Sequence, residues 1–513
     1  MEDIYLKNNT SPFRGGVEFE TFVIHLLKEL CDQHNKPFLF ESNLGHAFFD
    51  GFAEGGIPAL EGEADIIGKT IVEVKYYLTN ERLLNDKSFF YNLIVGDVRF
   101  DNLLLIGNGS LSEVAIADLR LRLQSINPSV KVYFWGPEQI EKLANKFPEK
   151  SKELGDNIFA YHINHVLSKS TVDWKEEREK ILLRLAVKYQ KGQMSLFLGA
   201  GLSSSAGMVD WKTLLDSLVV NLIHSGFNNE NKLSDIDVKQ ISERFSIIQD
   251  GSTVALARYL RTGLASDTNG EEKFIDAIRT GLYTLRNKAL PPESKLFKIV
   301  AKLCMPTRTG SKIRSVITYN FDDLLERILE KSNIRHASIY SDTNSYALDD
   351  LPIYHVHGFL PEDSINYEGL ERNTFVFSEE GYHKIYSEPY HWSNLVQLNS
   401  LRELNCVFIG LSMTDPNLRR LLDLAAKSPD GARHFVFMKR FKTDDFIYEK
   451  GVKEKKERVQ KINNIPAATS FINNHLKLQE QVFTELGVSV IWYEQHDEIP
   501  YLLAKVYELS ISK

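Results

Sequence analysis

Met194-Ser195-Leu196-Phe197-Leu198-Gly199-Ala200-Gly201-Leu202-Ser203 is an apolar run that breaks into a glycine turn, and a helical stretch from Asp210 to Leu218 follows it. The order strand, glycine turn, helix start is that of a phosphate cradle. Glycine lets the backbone approach a pyrophosphate with no Cβ in the way, and a helix N-terminus offers unpaired N–H groups and a partial positive charge. The same Gly-x-Gly also makes tight turns that only pack a helix on a sheet, so the neighbouring strand ends carry the decision.

Three further apolar strands end in polar motifs. Val316 to Tyr319 runs into Thr318-Tyr319-Asn320-Phe321-Asp322, and Ile353 to Val356 into His355-Val356-His357-Gly358. Cys406 to Gly410 runs into Gly410-Leu411-Ser412 and then Asp415-Pro416-Asn417-Leu418. Open α/β sheets bind ligands at the carboxyl ends of their strands, which is where all four motifs fall. Strands at His434 to Met438 and Val488 to Trp492 complete the core, and a long charged helix, Trp174 to Lys191, leads into it. Residues 211–302 read as a helical insertion with polar breaks at Asn228 to Ser234 and Ser266 to Gly270. The basic, polar stretch from Lys439 to Lys461 reads as a solvated helix or loop.

These four motifs in this order resemble the sirtuin-like family, specifically its bacterial branch in antiviral defence. The resemblance covers roughly residues 175–513. It implies an α/β fold with a Rossmann-like parallel sheet and a helical insertion, and NAD⁺ as the bound nucleotide. It also implies roles for individual residues. Gly199, Ala200, Gly201 and Ser203 hold the pyrophosphate; Asn320 positions a water or the nicotinamide ribose; Asp322 reads the carboxamide; His357 transfers a proton. His355, of the same strand parity, ranks second to His357. Gly410, Ser412, Asp415 and Asn417 correspond to the segment that lines the adenosine ribose.

Protein-deacylating sirtuins usually carry a four-cysteine zinc ribbon. Here the cysteines are Cys31, Cys304 and Cys406, so such a site cannot be assembled and no zinc is expected. The expected reaction is therefore hydrolysis of the nicotinamide–ribose bond, with protein deacylation as an alternative.

The N-terminal region has its own constellation. A helix is predicted over Phe19 to Leu30, strands at Ala64 to Ile67, Thr70 to Tyr76, Asn102 to Ile106 and Val130 to Trp135, and helices at Ser112 to Ser125 and Pro137 to Asn145. Asp65 precedes Glu73-Val74-Lys75 by one short turn, and period two puts Glu73 and Lys75 on one strand face. Asp, short turn, Glu-x-Lys resembles the PD-(D/E)xK restriction-endonuclease fold. Glu20, on the first helix, matches the helix glutamate of Mrr-type members. The resemblance covers residues 12–147, with 148–174 as a connector. It implies Mg²⁺ on Asp65 and Glu73, with Lys75 orienting the attacking water.

At 513 residues, 43% hydrophobic and 25% charged, the chain is expected to form two or three globular domains. The N-terminus has no basic region followed by an apolar one, and no run of eighteen uncharged apolar residues occurs, so neither a signal peptide nor a membrane span is expected. Unpaired cysteine usage fits the cytoplasm. The net charge is −8, of which residues 1–150 carry −7 (15 Lys+Arg against 22 Asp+Glu), so a strongly basic footprint for DNA is absent.

The expectation is a defence protein that depletes NAD⁺. Its gate is a homo-oligomer or a trigger: nucleic acid met by the first domain, a phage protein or a partner subunit. The alternative is a Mg²⁺-dependent DNA nuclease whose second module only senses NAD⁺ or ADP-ribose.

Overall fold

The computed structural model describes residues 16–44, 47–76, 100–108, 112–126, 130–157, 174–227, 236–237, 240–241, 256–258, 260–261, 270–308, 310–373, 375–376, 379–388, 390–426, 432–449 and 459–511. The chain divides into two compact units, Met1–Thr171 and Val172–Lys513.

In the first unit the helix Gly16–Gln33 precedes a five-stranded sheet: β1 (Phe38–Leu44), β2 (Ala47–Ala53), β3 (Thr70–Lys75), β4 (Asn102–Gly107) and β5 (Lys131–Trp135), in that order. β1, β2 and β3 pair antiparallel, whereas β3, β4 and β5 run parallel. Phe19, Val23, Leu26, Leu27 and Leu30 recur at helical spacing and share one core with Val72, Val74, Leu104 and Ile106. Helices Glu113–Ile126 and Pro137–Lys146 flank β5 in sequence.

The strand expected at Ala64 to Ile67 does not form. Gly56, at φ +79°, turns the chain, and residues 57–66 close on themselves through isolated pairings of Ile57 with Ile66 and Leu60 with Glu63. The partner of β3 on that side is β2, the second arm of a hairpin that sequence reading did not assign.

The second unit is built on seven parallel strands: β6 (Met194–Leu198), β7 (Ile313–Thr318), β8 (His336–Ile339), β9 (Leu351–His355), β10 (Asn405–Ile409), β11 (His434–Lys439) and β14 (Val488–Tyr493), ordered β14-β11-β10-β6-β7-β9-β8. The remaining pair, β12 (Tyr448–Glu449) and β13 (Val459–Gln460), forms a small ribbon within the stretch expected to be a helix or loop.

Strand parity separates two cores. Met194, Leu196, Leu198, Val316, Ile353 and Ile409 pack with the helices Trp174–Lys191, Lys295–Cys304 and Glu498–Ile511. Phe197, Ile317, Phe408, Val436 and Val490 pack with Pro416–Ala425 and Ile465–Glu485. Both sheet faces are thus covered, which is why these strands read as continuous apolar runs. From the insertion, Trp211–Phe227 and Gly270–Thr284 pack on the first of these cores through Leu214, Leu215, Ile278 and Leu282. The breaks at 228–234 and 266–269 lie outside the described residues. No helix of the described residues is long and apolar enough to cross a membrane.

The chain enters the sheet at β6, adds β7, then β8 at the edge and β9 between β7 and β8, and returns to the other side of β6 with β10. The order reverses at β6, so the crevice at its carboxyl end is the topological switch point. There two turns meet backbone to backbone. Gly410 has φ +71°, and a Cβ on it would stand 2.5 Å from the Leu202 nitrogen and 2.9 Å from the Gly201 carbonyl carbon. Gly410→Ala is therefore expected to lower stability by at least about 1–3 kcal/mol, read as an earlier denaturant midpoint. An unchanged midpoint would show that this contact is dispensable.

Candidate functional site

The turn after β6 is fixed by its neighbours on both sides. The Gly199 N–H donates to Ile409 O (3.0 Å) and the Gly201 N–H to Gly410 O (2.9 Å). Those two donors, expected on a pyrophosphate, instead brace β6 against β10. A five-residue helix, Ala200–Ser204, starts at once, and the longer helix begins only at Trp211.

On the other side, Asn320 Nδ2 donates to Gly199 O (3.0 Å) and to Ser203 Oγ (2.8 Å), and Ser203 Oγ donates to Asp322 Oδ2 (2.6 Å). Ser203, expected on the pyrophosphate, is the middle of an Asn320–Ser203–Asp322 chain whose members are all buried. Asp322 Oδ1 accepts the Leu324 N–H at 3.2 Å. Burial pushes its carboxyl up to about 6, against the opposing pull of the Ser203 and Leu324 hydrogen bonds. It is thus mostly ionised at pH 7.

His355 and His357 separate cleanly. His355 is 1% exposed; its Nε2 lies 2.7 Å from Glu326 Oε1 and its Nδ1 3.2 Å from Asn320 O, so it ties β9 to the helix Leu324–Lys331. His357 lines a cavity of about 230 Å³ together with Ala200, Ser203, Asn320, Asp322 and Trp211. Its ring meets Tyr319 edge to face at 4.7 Å, and its Nε2 lies 3.6 Å from Asp415 Oδ2. Burial holds the imidazole below its usual pKa, with the Asp415 charge opposing.

Of the four residues expected at the adenosine ribose, none is in this cavity's lining. Gly410 makes the backbone contact above. Ser412 is exposed and lies 2.6 Å from the Thr414 hydroxyl. Asp415 caps the helix Pro416–Ala425 through the Leu418 N–H (2.7 Å). Asn417 is 2% exposed, donates to Asn394 Oδ1 (2.9 Å) and accepts from Arg420 Nη2 (2.8 Å). Pro416 starts the helix immediately after the cap, which turns Asn417 inward.

Tyr283, which sequence reading did not single out, ties the insertion to this site. Its hydroxyl lies 2.9 Å from Asp323 Oδ1 and 2.8 Å from Leu360 O. Arg327 Nη2 donates to the same Asp323 carboxylate at 2.9 Å.

In the first unit, Lys75 Nζ lies 2.6 Å from Glu73 Oε2 and 3.3 Å from Asp50 Oδ2, and the Val74 N–H donates to Asp50 Oδ2 at 2.7 Å. Glu20 adds to the negative field on Lys75. The carboxylate that joins the Glu-x-Lys pair is thus Asp50 of β2. Asp65 is exposed in the 57–66 loop and accepts the Ala59 N–H at 2.5 Å. The available signal was a carboxylate inside the aromatic run Phe48-Phe49-Asp50-Gly51-Phe52. Burial first, and the Asp50 charge second, push the Glu73 carboxyl up to about 8; Lys75, shared between two carboxylates, does not offset them. Among the described residues, no group of three or more His, Cys, Asp or Glu is arranged to hold a metal ion.

Residues 314–465 match the SIR2-like domain family. The chain is similar to the NAD(+) hydrolase ThsA of Enterococcus faecium, 22% identical over 277 residues, which is 53% of this chain and 48% of that protein. It is also similar to the proteins of that name from Acinetobacter baumannii (25% over 260 residues; 48% of this chain, 42% of the other) and Bacillus cereus (25% over 300 residues; 56% and 52%). The chain spans about half the length of the curated relatives it matches.

Glu73 also makes a pH signature. Its folded-state pKa lies above the unfolded value, so the folded protein binds the proton more tightly and stability falls as pH rises from about 4.5 to about 8. Lys75 is charged in both states across that window and adds no slope. Glu73→Gln is expected to flatten this decline, measured by urea unfolding of the first unit's transition at pH 5 and pH 8; an identical slope in the variant would refute the assignment.

Proposed function

We propose that the second unit hydrolyses NAD⁺ at the nicotinamide–ribose bond, giving nicotinamide and ADP-ribose. The observation that carries this reading is that Asn320, Asp322 and His357, from the ends of adjacent strands, line one cavity at the switch point. The names of the three relatives and the SIR2-like match support it.

The chemistry suits these groups. Water oxygen bonds to the ribose carbon, the electron pair of the broken C–N bond leaves with nicotinamide, which becomes neutral, and the water proton passes to His357 and then to solvent. Burial keeps His357 neutral, and so able to accept that proton, near pH 7. Asn320 commits its Nδ2 donors to Gly199 and Ser203, which leaves Oδ1 as its acceptor for the attacking water. Ionised Asp322 is suited to accept the carboxamide N–H.

The resemblance to the defence branch extends the reading to NAD⁺ depletion in infected cells. Unchecked hydrolysis would be toxic, so the activity is gated, by assembly of copies or by a trigger such as a phage protein, a partner subunit or nucleic acid.

A second reading concerns residues 12–147 as a PD-(D/E)xK-like nuclease module, joined through 148–174 to the hydrolase at 175–513. It is favoured by Asp50, Glu73 and Lys75 meeting in one cluster. Two carboxylates crowded on a single ammonium, with Glu73 driven toward protonation, form a donor set that suits Mg²⁺, which binds through one or two carboxylates and keeps waters. Asp50 and Glu73 would hold the ion, which when bound would lower the pKa of a water; Lys75 would orient that water at a phosphodiester.

Full-length protein incubated with NAD⁺ is expected to release nicotinamide, and Asn320→Ala and His357→Ala are each expected to lose at least about 100-fold in rate while remaining folded by circular dichroism, with some loss of melting temperature in Asn320→Ala, whose donors hold Gly199 O and Ser203. Full hydrolysis in both variants would sink the site assignment. Mg²⁺-dependent cleavage of DNA, lost in Lys75→Ala but kept in His357→Ala, is expected from the second reading; DNA left intact by the wild-type protein with Mg²⁺ would remove it.

A further inference from the structure

Asp415 does two things with one carboxylate. Oδ1 accepts the Leu418 N–H at 2.7 Å and starts the helix Pro416–Ala425, while Oδ2 stands 3.6 Å from His357 Nε2. The cap pins the carboxylate to a helix that is itself anchored by buried Leu418, Leu421 and Leu422. Its other oxygen is therefore held at a fixed place beside the imidazole. Both side chains are nearly buried, at 12% for His357 and 13% for Asp415, so their interaction is weakly screened by solvent. Asp415 is also absent from the lining of the cavity in which His357 and Asn320 meet.

We propose that Asp415 is a positioning residue that orients the His357 ring from behind, and that it does not bind the nucleotide. The proposal rests on the hydrolase reading for its kinetic consequences only. At 3.6 Å the pair is at ion-pair distance rather than hydrogen-bond distance, and such contacts tighten when substrate fills a site. With Nε2 turned toward Asp415, the carboxylate favours the proton on that nitrogen, leaving Nδ1 as the basic one.

Four other titratable groups described near this pair have partners of their own. Tyr319 presents its ring edge and gives its hydroxyl to Gln397 on the helix Trp392–Glu403. Asp322 lines the same cavity from the end of β7, and acts on Ser203 and Leu324. His355, on the same strand, is turned to Glu326. Tyr386, on the helix Glu379–Ser387, feels the Asp415 charge and lies under Arg420, 5.5 Å from its ring centre.

Asp415→Asn separates the two jobs, because asparagine still caps a helix but carries no charge. In full-length protein its kcat is expected to fall about tenfold or more, with KM for NAD⁺ held within about twofold. Loss of the negative charge disfavours the imidazolium, so the His357 ring, followed by NMR of ring-labelled histidine and assigned with His357→Gln, should titrate at lower pH. The acid limb of kcat should move the same way. A raised KM with kcat intact would make Asp415 a nucleotide contact and overturn the proposal, as would a His357 titration that does not move. If the wild-type protein released no nicotinamide, the hydrolase reading would fall, whereas the ring titration would still decide whether Asp415 governs His357.

Discussion

The turn after β6 is clamped between two strands that arrive from opposite directions in the chain. From one side Gly410 lays its backbone against Gly201; from the other Asn320 grips Gly199 O and the Ser203 hydroxyl. Everything chemical in the second unit is referred to that turn. Asn320 has its direction because its donors are held there, Asp322 because Ser203 hands it a proton donor, and His357 because β9 pairs beside β7. None of these groups is positioned by a long flexible arm. Each lies within a few residues of a strand end, and the parallel register fixes how those ends line up.

Burial sets the electrostatics of both units, with different outcomes. Glu326 and His355 form a buried pair in which burial pushes the Glu326 carboxyl up, while His355, a backbone hydrogen bond and the His336 charge together outweigh it, so its pKa ends lowered. That pair locks the end of β9, and the turn that follows the strand brings His357 to the cavity. Asp50, Glu73 and Lys75 carry one positive charge against two negative ones, and Glu73 is driven the other way. A buried ion pair is weak grounds for stability and strong grounds for a fixed arrangement when its removal would strand a charge. The first pair serves architecture. The second leaves a charge deficit that a protonated carboxyl or a bound cation would settle.

Much of the second unit was legible because covered parallel strands are short apolar runs and their ends carry polar residues. Met194 to Leu198 and Cys406 to Gly410 announce themselves in this way, and the cluster of Asn320, Asp322 and His357 follows from strand ends alone. The direction of each hydrogen bond was not legible. Gly199 and Gly201 looked like phosphate donors, but their N–H groups serve β10, a partner two hundred residues away. Nor was it legible that Asn417, on a proline-started helix, is buried with Asn394 and Arg420 as its partners. In the first unit Asp65 had the right spacing before Glu73, and spacing could not show that the chain after Gly56 closes into a loop over 57–66 that carries Asp65. Asp50 was hidden because its strand belongs to a hairpin of mixed aromatic and polar residues with no clean alternation.

Tyr283 gives the helical insertion a thermodynamic role. Its hydroxyl bridges Asp323 and Leu360, next to the carboxylate that faces the cavity, so displacement of the helix Gly270–Thr284 changes the environment of Asp322. Linkage makes such coupling reciprocal: whatever free energy a ligand on the insertion contributes to nucleotide binding, the nucleotide returns to that ligand in equal measure. The helical insertion therefore meets the cavity in two ways, through this phenol and through Trp211, Leu214 and Leu282, which line it.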